Sequence, residues 1–264
     1  MKKLPNILTL INLLFGCVAI FYVLQPGLVP LYTNNGMLLT ADIDNNGTQF
    51  VSIPEQMFMG SLFIGLAAVV DFFDGFVARW LKASSPLGAQ LDSLSDVVSF
   101  GVAPSMIVYQ FLKLSFAQQE DGLNTNLLWL VPAFFIACAG AYRLARFNLD
   151  TEHKNYFTGL PIPANGLLIA SFPLIYWTNN FRVVTQVLIN PWFWYAMILL
   201  LSYLMVSKLP MLALKFSGVN VRKLLPFIVI AIVGIISSFI VGWLAVPLTF
   251  IVYVLLSLLH KHPS

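Results

Sequence analysis

Apolar runs close to twenty residues long follow one another along this chain, with short polar breaks between them. Residues 6–24, 57–81, 88–113, 127–148, 164–180, 191–207, 224–241 and 243–259 each approach the length that crosses about 30 Å of hydrocarbon as a helix. Composition agrees. The 264 residues are 59% hydrophobic and only 9% charged, whereas a soluble domain is about a quarter charged. The expectation is an all-α, polytopic membrane protein of about eight transmembrane helices, folded as one membrane-embedded domain over residues 1–264. The last two helices, 224–259, are expected to be peripheral, with only Gly242 dividing them.

Basic residues orient this layout. Eight crossings place Lys2, Lys3, Arg79, Lys82, Arg143, Arg146, Lys154, Lys208, Lys215, Arg222, Lys223 and Lys261 on one side, and only Lys113 and Arg182 on the other. Cytoplasmic loops collect lysine and arginine, so both termini are expected in the cytoplasm. The N-terminal run resembles a signal peptide but is punctuated by Asn6, Thr9 and Asn12, and is read as a retained first helix. Cys17 and Cys138 are the only cysteines, which excludes a disulfide framework; both are read as buried small apolar residues. The external connection 25–56 contains Asp42, Asp44 and Gly47 in the manner of a calcium loop. Ile53 stands where a bidentate glutamate is needed, so a turn-rich loop is expected instead.

Four aspartates interrupt the second and third apolar runs: Asp71, Asp74, Asp92 and Asp96. Burying one carboxylate in hydrocarbon costs several kcal/mol. Four together call for an opposite charge. Residues three and four apart share a helix face, so each pair points one way. The short turn 82–87 brings the two helices back antiparallel as neighbours, with all four carboxylates at similar depth in the cytoplasmic half. Oxygen-only ligation suits magnesium or manganese, and the number of carboxylates suits two ions. Such centres clamp phosphates and activate hydroxyl nucleophiles. Spacing alone leaves open a structural polar cluster or a cation pathway.

The run Asp71-x2-Asp74-Gly75-x2-Ala78-Arg79-x8-Gly88-x3-Asp92-x3-Asp96 resembles the complete signature of the CDP-alcohol phosphatidyltransferase family. Flanking segments resemble its integral-membrane phosphatidylserine synthase branch. They are Pro5-Asn6-x2-Thr9-x2-Asn12, the run 97–104 after the fourth aspartate, Tyr142 to Asn148, and Phe157 to Ala164. Val97 stands where the phosphatidylglycerophosphate branch usually has lysine.

The resemblance implies transfer of a phosphatidyl group from CDP-diacylglycerol to L-serine, giving phosphatidylserine and CMP. It implies Asp71, Asp74, Asp92 and Asp96 as ligands of divalent magnesium or manganese, with Asp96 also the general base. Asn6, Thr9, Gly75, Ala78, Arg79 and Gly88 would hold the CDP-lipid. Arg143 and Arg146, three apart on one face, would take a phosphate or the serine carboxylate; interfacial snorkelling is the other role open to them. Asn148, Lys154 and Asn165 are further candidates for serine contact. A homodimer in a prokaryotic inner membrane is implied, with its site facing the cytoplasm and no nucleic-acid partner. Another alcohol acceptor, an ether-lipid donor, or a cation-coupled transporter are the competing functions.

Overall fold

The computed structural model describes residues 4–25, 31–32, 38–39, 56–81, 85–118, 125–149, 157–178, 181–212 and 221–259. Most of the loop carrying Asp42, Asp44 and Gly47 lies outside these residues, as do Lys82, His153, Lys154 and Lys215.

The apolar runs fold as helices: α1 (Leu4–Leu24), α2 (Met57–Trp80), α3 (Pro86–Asp96), α4 (Ala103–Ala117), α5 (Phe135–Leu149), α6 (Ile162–Thr178), α7 (Arg182–Leu188), α8 (Pro191–Val206), α9 (Val221–Val241) and α10 (Ala245–Leu259). A π-helical segment, Val97–Val102, joins α3 to α4 into one span, Pro86–Ala117. The described strands are two-residue pairs, β1 (Leu31–Tyr32) with β2 (Leu38–Leu39) and β3 (Phe157–Thr158) with β4 (Pro210–Met211). By length and composition, five helical spans are apolar enough to cross a membrane, or six if α7 and α8, bent by 68°, form one. Leu225–Leu259 counts among them as a single stretch. Gly242, at φ 58°, nevertheless breaks it between α9 and α10. A Cβ added to Gly234 would stand 3.3 Å from the Thr249 hydroxyl, so the two helices fold back on each other.

Local chemistry moves several boundaries. The third span starts at Pro86, two residues before the expected start, because Ser85 caps it. The Ser85 hydroxyl accepts from the Gly88 backbone N–H at 3.0 Å, and proline needs no partner at the first position. The Pro163 and Pro247 rings are likewise absorbed in the first turns of α6 and α10.

Burial on the first helix is inverted relative to a soluble protein. On α1 the buried face is Pro5, Thr9, Asn12, Gly16, Ala19 and Val23, while Leu4, Ile7, Leu10, Leu14, Phe21 and Leu24 face outward. Phe239, Ile240 and Leu259 are exposed on the last two helices. So much outward apolar surface is stable only against lipid, and small or polar residues between helices are what membrane packing favours. The chain is an integral membrane protein by this measure. Cys17 and Cys138 are exposed rather than buried. Both sit on outward helix faces, where lipid receives an apolar thiol as readily as a protein core does.

Helix ends are sorted to two poles. At one, Thr9 near the start of α1 meets Asp74 near the end of α2. Asn148 at the end of α5 donates to Ser93 of α3 at 2.8 Å, and the Leu160 N–H before α6 donates to the Leu204 carbonyl of α8 at 3.0 Å. At the other pole, Gln110 of α4 donates to the Val23 carbonyl at 3.1 Å, and Phe111 stacks on Trp194 with centroids 4.7 Å apart. Tyr195 of α8 donates to the Trp129 carbonyl there at 2.7 Å. This alternation is that of helices crossing a layer up and down.

Candidate active site

Four close contacts along α1 seat the two acidic spans against it. Ser95 and Ser99, on the span that carries two of the aspartates, donate to the Thr9 and Asn12 carbonyls, each at 3.1 Å. A Cβ on Gly16 would collide with Ser99, and one on Gly60 would meet the Ala19 carbonyl at 3.0 Å. Glycine at both positions lets α3 and α2 approach α1 closely. Sequence spacing implies α2 and α3 packed on each other. Instead each packs on α1, and the two make little direct contact. The space left between them is a cleft with α1 as its wall.

That cleft, about 280 Å³, is lined by Pro5, Asn6, Thr9, Asp71, Asp74, Gly75, Ala78, Ser85, Gly88, Ala89, Asp92 and Asp96. All four aspartates are there. One carboxylate oxygen from each of Asp71, Asp92 and Asp96 lies within 4.8 Å of the others. Asp74 is held differently, its Oδ2 accepting from the Thr9 hydroxyl. The Asn12 amide donates to Asp71 Oδ1 at 3.4 Å. Asp96 is 8% exposed, and its Oδ1 has no hydrogen-bond partner.

The donor set fits a divalent cation. Oxygen ligands of one small ion sit roughly 3–4 Å apart, given metal–oxygen bonds of about 2.0–2.1 Å, and the observed spacing is near that. A buried carboxylate oxygen without a donor is costly unless a positive charge meets it.

The glycines divide the cleft's labour. A Cβ at Gly75 would meet nothing within 4 Å, so this position borders open space. One at Gly88 would meet Asn6 Oδ1 at 3.0 Å and Ser85 Oγ at 3.1 Å, so glycine there makes room for the Asn6 side chain.

Three basic candidates stand elsewhere. Arg79 is exposed and is not among the cleft-lining residues. Arg146 donates to the Val206 carbonyl at 3.1 Å, at the end of α8. Arg143 is 8% exposed, lies over the Phe147 ring at 5.7 Å, and keeps its buried Nε without a hydrogen-bond partner. Asn165 is fully buried, with both amide atoms lacking a hydrogen-bond partner.

Sequence spacing overlooked Pro5, Ser85 and Ala89 as lining residues, and Asn12, Ser95 and Ser99 as supports. The signal for the supports is present: polar residues recur at helical spacing beside the aspartates, where an apolar helix has no other use for them.

The sequence profile of the CDP-alcohol phosphatidyltransferase family matches residues 2–206. Among similar proteins, a CDP-diacylglycerol–serine O-phosphatidyltransferase of Bacillus subtilis is 36% identical over 160 residues, covering 56% of this chain and 71% of that protein. A protein of the same name from Methanocaldococcus jannaschii is 42% identical over 109 residues, 41% of this chain and 47% of that protein. An archaetidylserine synthase of Methanothermobacter thermautotrophicus is 37% identical over 126 residues, 47% of this chain and 50% of that protein. The matched region thus spans most of the first relative and about half of the other two. The profile spans every residue that lines the four-aspartate cleft, and the chain belongs to the CDP-alcohol phosphatidyltransferase family.

Proposed function

We propose that the protein transfers the phosphatidyl group of CDP-diacylglycerol to L-serine, giving phosphatidylserine and CMP. The observation that carries this is the convergence of Asp71, Asp92 and Asp96 in a cleft also lined by Asn6, Thr9, Gly75, Ala78 and Gly88. Serine as acceptor draws on the names of the similar proteins and on the segments flanking the signature.

Asp71, Asp74, Asp92 and Asp96 would hold magnesium or manganese, as two ions. Bound there, the cations supply neutralising charge to the pyrophosphate and the departing CMP. The protein's own groups do the rest. Gly75 leaves the wall of α2 open to a close-lying nucleotide phosphate. Asn6 and Thr9 add polar groups from α1. Asp96, with an unengaged Oδ1, accepts the serine hydroxyl proton as that oxygen bonds to the phosphatidyl phosphorus. The bond from that phosphorus to the CMP oxygen breaks, and CMP leaves. Arg143, buried with a free Nε, offers a guanidinium to the serine carboxylate. Arg79 would reach a donor phosphate only from the rim.

The site then faces the cytoplasm of a prokaryotic cell, with both termini on that side and eight crossings. Supporting this are the distribution of lysine and arginine and the sorting of helix ends to two poles. We assign a homodimer by family resemblance alone. An ether-lipid donor is the second possibility, since one similar protein is named an archaetidylserine synthase.

Purified protein supplied with CDP-diacylglycerol, manganese or magnesium, and labelled serine, glycerol 3-phosphate or inositol phosphate tests the assignment. Serine-dependent CMP release supports it. CMP release with another alcohol but not with serine overturns the acceptor.

A further inference from the structure

The π segment after Asp96 divides the third span into two pieces that are held differently. Beyond it α4 sits in the core, with Ala103, Ile107, Phe111 and Leu112 buried. Before it α3 stands out. Leu87 and Leu94 are 65% and 64% exposed, and its buried residues are Ser95 and Asp96 alone. Helices bend at such π turns. So α3 is a lever, hinged beside Asp96 and carrying Asp92 one turn farther out.

One face of the lever rests on α1. Ser95 donates to the Thr9 carbonyl at 3.1 Å, and Gly88 lies against Asn6. Ser93 is two residues from Ser95, roughly 200° around the helix, and so on the opposite face. There α5 meets it. Asn148 Nδ2 donates to Ser93 Oγ at 2.8 Å, and Ser93 Oγ donates in turn to the Ala89 carbonyl at 3.1 Å. Apart from this bond, α3 and α5 make little direct contact among the described residues. Ala89 and Asp92 both line the cleft. The bond therefore grips the lever at the turn where the acidic residues begin.

The helix that grips is itself anchored. Arg146 donates to the Val206 carbonyl at the end of α8 at 3.1 Å. A Cβ on Gly140 would collide with Ile162 of α6, and one on Gly101 of the π segment would meet Ala137 Cα at 3.5 Å. So α5 is a post packed into the bundle, and Asn148 reaches from its last turn to the lever.

We infer that Asn148 is a positioning residue for the metal ligands: through Ser93 it holds α3 at the spacing that lets Asp92 and Asp96 share a cation with Asp71. This deepens the function proposed above and rests on its metal centre. Asn148 acts by limiting where α3 swings. Without the bond, α3 spreads over positions in which Asp92 stands away from Asp71, and binding has to draw it back. Affinity then falls with the fraction of competent positions.

The test is Mn2+ binding to the purified full chain in detergent, with no lipid or alcohol present, read from the electron paramagnetic resonance signal of free Mn2+. Loss of one neutral hydrogen bond corresponds to about fivefold in an equilibrium constant. Asn148→Ala and Ser93→Ala should each raise the Mn2+ Kd about fivefold, and the double variant should bind no more weakly than either. Ser93→Thr keeps the hydroxyl and should bind within about twofold of wild type. Unchanged Mn2+ affinity in Asn148→Ala overturns the inference, and with a lowered melting temperature it makes the bond a structural tie only. Additive losses in the double variant also overturn it, because Asn148 then acts through something other than Ser93. If wild type binds no Mn2+, the proposed metal centre fails and this inference falls with it. If Mn2+ binds with the expected changes but no alcohol releases CMP, the inference holds and the transfer reaction alone fails.

Discussion

The Ser95 hydroxyl donates to the Thr9 backbone carbonyl at 3.1 Å, and the Thr9 hydroxyl in turn donates to Asp74. One residue of α1 therefore ties the span bearing Asp92 and Asp96 to the helix bearing Asp71 and Asp74. The cleft is held open at a fixed width by α1, not closed by direct packing of its two acidic walls.

Thr9→Val should leave the helix in place and remove the donor to Asp74. Groups that orient metal ligands typically contribute about 10–100-fold in metal affinity. The metal concentration for half-maximal CMP release should rise by about that factor, and Thr9→Ser should restore most of it. Titration of each variant with manganese checks this.

Asp92→Asn and Asp96→Asn should each lower turnover by about 10²-fold or more, the range expected when a general base or an essential ligand is lost. Neither should unfold the protein, because an uncharged amide is easier to bury than a carboxylate. Size-exclusion profiles in detergent and CMP release, measured together, separate the two effects. Substantial turnover in Asp96→Asn would remove its role as base.

Gly75→Ala and Gly88→Ala should differ in kind. The added methyl at Gly75 meets no protein atom within 4 Å, and alanine is the better helix former by up to about 1 kcal/mol. Stability should hold or rise while KM for CDP-diacylglycerol climbs. At Gly88 the methyl presses on Asn6 and Ser85, so both the α3 cap and lipid binding should weaken. Thermal melts paired with donor KM distinguish them.

Gly166→Ala tests packing away from the cleft. Its Cβ would stand 3.0 Å from the Phe100 Cα, and such overpacking costs about 1–3 kcal/mol. The melting temperature should drop while the KM values of the surviving protein stay near wild type.

Much of this architecture is legible in the sequence because the bilayer demands it. An apolar run cannot hide its length, so the expected 57–81 and 191–207 differ little from Met57–Trp80 and Pro191–Val206. The acidic residues are legible for the opposite reason, being costly where they stand. Helix partnership is another matter. Nothing periodic in the chain announces that Gly16 meets Ser99 or that Gly60 meets Val23, yet these fits place α1 between the acidic helices. The π segment after Asp96, which offsets the face of α4 from that of α3, has no apolar signature either. Arg146 shows the limit for surface charge. Its spacing with Arg143 suggests a shared ligand, but its guanidinium bonds the end of α8. A residue spacing defines a helix face and not which neighbour arrives there first.

The most direct test of the account is CMP release by the purified protein from CDP-diacylglycerol and L-serine, before and after removal of divalent cations by chelation. The account predicts serine-dependent formation of phosphatidylserine with one CMP per lipid, abolished by the chelator, recovered on adding back manganese or magnesium, and not recovered in Asp92→Asn. Undiminished turnover under chelation, or full activity in Asp92→Asn, would contradict it.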